Sequence, residues 1–152
     1  MFLPFETFIE SVEERKIYFL KGNPPNDLIS NHLHICLKKS DGKVLYMVCC
    51  TSQIDKVQKF IETRHLPLST MVYLSPDNNN AFEKDTCINC NNVHTCSEKE
   101  FKNYYNNDNV SFIGKISEGQ FVQILQGIMD STMIVQEIKN IISEILESYS
   151  PN

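Results

Sequence analysis

The alternation of apolar and polar positions divides the chain into segments of period two and segments of period near 3.6. Residues 2–15, FLPFETFIESVEER, set Phe5, Phe8, Ile9 and Val12 at helical spacing and predict a short amphipathic helix. KIYFL, residues 16–20, is aromatic and β-branched and predicts a strand. KGNPPND cannot prolong that strand, because its two prolines lack the N–H a ladder needs; this loop is either one wall of a cleft or plain connection. NHLHICLK alternates: Leu33, Ile35 and Leu37 fall on one face, His32, His34 and Cys36 on the other. KVLYMVCCT is nearly all apolar, as a central strand covered on both faces would be, and SDG between the two is a turn signal.

Farther along, SQIDKVQKFIETRH carries Ile54, Val57, Phe60 and Ile61 at helical spacing. TMVYL predicts a short strand, SPDNNN an exposed loop, DTCINCNNV an edge strand and VSFIGKI a last strand. Ser117 is the N-cap candidate of a helix burying Phe121, Ile124, Leu125 and Ile128. A second C-terminal helix follows, with a wide stripe of Ile134, Val135, Ile138, Ile141, Ile142 and Ile145 that is expected to face the core. There are no repeats and no dividing linker, so 1–152 reads as one α+β domain.

The turn fixes a register. A two-residue Asp41-Gly42 turn sets Leu37 opposite Tyr46, Ile35 opposite Val48 and Leu33 opposite Cys50. On the other face His34 meets Cys49 and His32 meets Thr51, with opposed Cβ atoms about 5 Å apart. Two imidazoles and a hydroxyl would then gather at one end of a sheet. Such a group can exchange protons near neutrality and hydrogen-bond a phosphate oxygen. The alternative is an ordinary hairpin, with His34 half buried and His32 facing solvent.

Composition narrows the functional classes. The 152 residues are 41% hydrophobic and 22% charged, an ordinary globular balance that excludes a disordered chain. The net charge of −5 argues against broad non-specific binding to nucleic acid but leaves room for a local phosphate site, for which Lys38, Lys39 and Lys43 are candidates. The N-terminus has no basic region followed by a small-residue cleavage site, and no apolar run spans a bilayer. A cytoplasmic protein with no membrane partner and six reduced cysteines is expected. Cys87, Cys90, His94 and Cys96 offer a zinc-type ligand set, but four ligands within ten residues are tighter than most zinc modules. Buried thiols without chemistry, and no cofactor, are the expectation; a zinc-binding adaptor is the minor alternative.

The stretch NPPNDLISNHLHICLKKSDGKVLYMVCCTSQ resembles the core of PemK/MazF-like proteins, in which a loop leads into a strand, a turn follows, and the next strand ends in a Thr-Ser or Thr-Thr step. KDTCINCNNV and GKISEGQFVQILQGIMDS are similar to that family's later strand and its closing strand and helix. The resemblance implies a small SH3-like β-barrel with a C-terminal helix; with the helices read from periodicity, the expectation is a barrel of about five to seven short strands over about 16–115, an N-terminal helix and two C-terminal helices over about 117–148. The resemblance also implies a metal-independent endoribonuclease toxin that cleaves single-stranded RNA, a protein antitoxin that covers the cleft, and a homodimer. Thr51 and Ser52 match the family's Thr-Ser step. The family's Arg-Pro position reads Asn31-His32-Leu33 here, so His32 would be the acid or base and His34 its partner, with Thr51 and Ser52 contacting phosphate at the catalytic step; Lys38 and Lys39 are the substrate-binding candidates of the local phosphate-site reading. A binding or regulatory module without catalysis is the competing reading.

Overall fold

A computed structural model of the chain describes residues 3–21, 32–40 and 44–149. The Pro24-Pro25 loop, Asn31, the Asp41-Gly42 turn and Lys43 lie outside the described residues. Within them the fold is α+β. In chain order it runs α1 (Phe5–Ser11), β1 (Lys16–Leu20), β2 (His32–Ser40), β3 (Val44–Thr51), α2 (Ile54–Thr63), a 3-10 turn (Leu68–Thr70) and β4 (Met71–Leu74). It continues with β5 (Thr86–Asn89), β6 (His94–Ser97), α3 (Glu98–Asn106), β7 (Val110–Lys115), α4 (Glu118–Asp130) and α5 (Gln136–Tyr149).

The strands form one antiparallel sheet in the order β4-β5-β3-β2-β1-β7, with β6 also on β3. β5 and β6 follow one another along the same edge of β3: Thr51 pairs with Cys87 and Cys50 with Ile88, then Met47 with His94 through to Val44 with Ser97. The link between them leaves the sheet and buries Asn91. Its amide donates to Thr70 Oγ1 at 2.9 Å, and its Oδ1 accepts the Ser131 hydroxyl at 2.6 Å. One side chain thus ties the 3-10 turn, the β5–β6 link and the end of α4 together, which meets the hydrogen-bonding demand of groups closed off from water.

Helices cover both faces. On one, Phe121, Ile124, Leu125 and Ile128 of α4 and Ile142 and Ile145 of α5 pack on Ile17, Ile35, Leu37 and Val48. On the other, Phe5 of α1 and Phe101 of α3 pack on Tyr18, Leu20, Cys36 and Met47. This explains why His34, Ile35, Cys36 and Leu37 are all buried in a strand whose sequence suggested one wet face. It also bears on the small barrel: the sheet is not closed, because β4 and β7 end it without pairing among the described residues. Apolar surface that a closed barrel would turn inward is here covered by helices from both sides.

Sequence and structure differ at two further places. Leu33–Cys50, His34–Cys49 and Ile35–Val48 pair as expected, but Tyr46 faces Lys38, not Leu37. Ser40 pairs with Val44, so three residues, 41–43, separate the paired ends where two were expected. A bulge between Cys36 and Lys38 takes up the extra residue and restores the register at the far end. β6 and α3 were not foreseen. α3 begins with a capping box, in which the Ser97 side chain accepts from Glu100 N–H and Glu100 accepts from Ser97 N–H. The Ser-x-x-Glu spacing is visible in the sequence.

Candidate functional site

β2 begins at His32 and β3 ends at Thr51, so the two termini lie one step beyond the Leu33–Cys50 pair. A cleft of about 420 Å³ opens there. Its floor is Leu33 and Cys50, its rim His32, Thr51, Ser52 and Gln53, and its far wall Ala81–Lys84, with Thr86 and Ile113 completing it. His32, Ser52, Glu83 and Lys84 are exposed and Thr51 is half-buried. The Thr51 hydroxyl accepts the Gln53 N–H at 3.0 Å, a local turn that leads into α2.

The far wall is built, not loose. Asp77 Oδ1 accepts the N–H groups of Asn79 and Asn80, both at 2.8 Å. Asn80 is buried; its Oδ1 accepts from Phe82 N–H at 3.0 Å and its amide donates to the Ser75 carbonyl at 2.9 Å. Lys115 N–H on β7 donates to the Asn79 carbonyl at 3.0 Å. Gly114 makes this approach feasible, since a Cβ there would sit 2.9 Å from the Asn80 carbonyl oxygen. SPDNNN is therefore a rigid strap that docks β7 and presents Phe82, Glu83 and Lys84 to the cleft.

His34 does not line the cleft. Its ring lies fully buried beneath β2, with Nδ1 3.0 Å from the His32 carbonyl and the His94 ring 5.9 Å away edge-on. A carbonyl only accepts, so the proton sits on Nδ1, and Nε2 is a buried acceptor with no partner. Burial lowers the pKa of His34 to about 4, a shift the backbone hydrogen bond partly opposes and the neighbouring His94 and His32 slightly reinforce. His34 is thus neutral at physiological pH and cannot trade protons with His32. It instead holds the backbone of the residue that does line the cleft.

Lys38 and Lys39 are also elsewhere. They line a different hollow at the other end of the sheet with Glu10, Glu13, Glu14 and Glu144, and Lys39 Nζ donates to the Ile9 carbonyl at 2.7 Å. The bulge and the strand length carry them away from the cleft. Cys87, Cys90 and Cys96 are each buried in a different apolar cluster: with α2, with α4 and α5, and with α1 and α3 respectively. Among the described residues no group of three or more His, Cys, Asp or Glu side chains is arranged to hold a metal ion. The zinc-type tetrad is therefore not assembled. Burial raises the Cys87 thiol to about 11 and Cys90 to about 12, and it holds Cys50, on the cleft floor, well above its ordinary value, so these groups are not thiolates.

The cleft brings together one imidazole, three hydroxyls (Thr51, Ser52 and Thr86), a carboxylate (Glu83) and an ammonium (Lys84). That set can move a proton and hold an anion. Glu83, Lys84 and Gln53 were not candidates from the sequence, and their spacing gives no signal; a charged pair after a polar loop is ordinary solvated surface. No protein-family model matches the chain, and no curated protein matches it.

Proposed function

We propose that the cleft at the joined ends of β2 and β3 cleaves single-stranded RNA without a metal, as the active site of a toxin of the PemK/MazF-like kind. The observation that carries this reading is the meeting of His32, Thr51 and Ser52 in one cleft with Lys84 on its wall. His32 takes or returns the proton at the reacting oxygen, and Glu83 serves as the second proton-exchanging group in place of His34. Thr51 and Ser52 donate to the phosphate oxygens, and Lys84 supplies the fixed positive charge that an arginine supplies in that family. In this reading the open sheet corresponds to the small barrel, its seam bridged by the Ser75–Phe82 strap docked on β7 through Lys115 and Asn79. A protein antitoxin and a second copy of the chain are the partners this reading implies.

A second reading has its own support. His34 is locked in the core and Glu83 is an exposed carboxylate, so the cleft has a single imidazole for a reaction that needs both an acid and a base. A module that binds RNA or a partner and leaves it intact would use the same surface. Induced expression in growing cells separates the two. Growth arrest by the wild type that His32→Ala relieves supports the toxin; growth indifferent to the wild-type protein supports the module.

A further inference from the structure

Beside the cleft, a smaller hollow of about 180 Å³ is lined by Thr51, Gln53, Lys56, Val57, Phe60 and Asn89. Thr51 and Gln53 border both hollows, so the two adjoin across the turn that joins β3 to α2. The hydrogen bond from Gln53 N–H to Thr51 Oγ1 fixes that turn, which makes the ridge between them a defined feature of the backbone. On its outer side Val57 is buried and Lys56 is exposed. One turn farther along α2 the Arg64 guanidinium lies over the Phe60 ring, 3.9 Å from its centroid. Arg64 is exposed, and its guanidinium is backed by the ring of Phe60, which lines the hollow.

We propose that this α2 hollow is a second binding subsite, which takes the nucleotide next to the one held in the cleft. The inference rests on the RNA reading of the cleft and extends it to a strand that crosses the Thr51–Gln53 ridge. The chemistry fits single-stranded RNA. An unstacked base finds a flat partner in the braced guanidinium, and a backbone phosphate finds a point charge in Lys56. Both contacts tolerate any base, so the subsite adds affinity and direction and leaves sequence choice to the cleft. It also places two cations, Lys84 and Lys56, on either side of the hydroxyls of Thr51 and Ser52 in a chain whose net charge is −5. Two cations beside one lining carboxylate, Glu83, suit a short strand segment and not a long duplex.

The test uses the full chain labelled with ¹⁵N and a six-nucleotide single strand with 2′-deoxy sugars, which lacks the hydroxyl that cleavage needs. Amide shifts are expected at residues 32, 51, 52 and 84 and also at 56, 60 and 64. Arg64→Ala is expected to weaken binding about fivefold to tenfold, with Arg64→Lys failing to restore it. Lys56→Ala is expected to weaken it about threefold and to lower the slope of log affinity against log salt by about one. Both side chains are exposed, and circular dichroism confirms that the variants stay folded. Shifts confined to the cleft, with Arg64→Ala binding as the wild type, overturn the subsite and leave the RNA reading intact. Shifts on α2 and in the cleft, with the corresponding ribonucleotide left uncut, uphold the subsite and remove the catalytic reading. An absence of shifts at both places overturns both readings.

Discussion

The two ends of the β2–β3 pair carry similar polar material and use it differently. At the far end, His32, Thr51 and Ser52 open onto a cleft whose opposite wall is held rigid by the Asp77 and Asn80 hydrogen bonds. At the end near the turn, Lys38 and Lys39 sit among four glutamates, and Lys39 is bound to the carbonyl end of α1. At the turn end the lysines line a hollow shared with glutamates, and Lys39 is engaged by the Ile9 carbonyl. At the far end the polar groups face a hollow whose opposite wall is a separate segment braced by its own hydrogen bonds. The contrast teaches that a chemical site is marked less by residue type than by a second wall that keeps the groups apart from one another and open to a ligand.

The largest expected effect concerns the imidazole beneath the cleft end. Below about pH 6.5 the unfolded chain protonates His34, whereas the folded chain refuses that proton until about pH 4. Its contribution to folding is complete above 6.5 and falls as pH drops through that window, by about 3 kcal/mol. Urea unfolding at pH 7 and pH 4.5 should show the loss in the wild type, and His34→Leu should remove most of this acid slope. An equal slope in both proteins would mean that another group carries it. Gly114→Ala attacks the wall itself. Its Cβ would meet backbone atoms of Asn79 and Asn80, which cannot yield as a side chain would, so a loss of about 2–3 kcal/mol is expected by denaturant unfolding. Lys38→Ala, at the other end, should stay within about 0.5 kcal/mol of the wild type.

Smaller effects sharpen the contrast. Thr51→Val removes the acceptor for Gln53 N–H and should cost about 1 kcal/mol of stability, together with a loss of RNA binding at the cleft. Lys39→Met retains the aliphatic stem and loses only the bond to the Ile9 carbonyl. A fall of about 0.5–1 kcal/mol with unchanged RNA binding is expected. If Lys39→Met weakened RNA binding as much as Thr51→Val, the division of labour between the two ends would be wrong.

Much of this molecule is legible in the sequence, and the limits have physical causes. Alternation finds β2, β-branched and apolar runs find β1 and β3, and the 3.6-residue period finds α2, α4 and α5, while Ser117 caps α4 as its spacing suggests. The register at His34–Cys49 was reached although the connection is one residue longer than read, since the bulge at Leu37 offsets it. No local pattern reports such a bulge. His34 is buried with the His94 ring of β6 beside it, and tertiary cover of that kind has no local signature. The same holds for the strap: SPDNNN looks like solvent-exposed turn residues, and only its contacts with Gly114 and Lys115, more than thirty positions farther along the chain, reveal that it is docked. Helix α3 was within reach, because Ser97 and Glu100 form the capping pair at the expected offset.

The most direct test of the central claim is single-turnover cleavage of a fluorescent single-stranded RNA in the presence of a chelator. Three proteins are compared: the wild type, His32→Ala, and Lys38→Ala combined with Lys39→Ala. The account predicts that the wild type cuts, that His32→Ala is slower by about 10²–10³-fold, and that the double lysine variant cuts within about threefold of the wild type. Cleavage that survives His32→Ala undiminished, or that disappears with the two lysines, would contradict the assignment of function to the cleft end of the sheet.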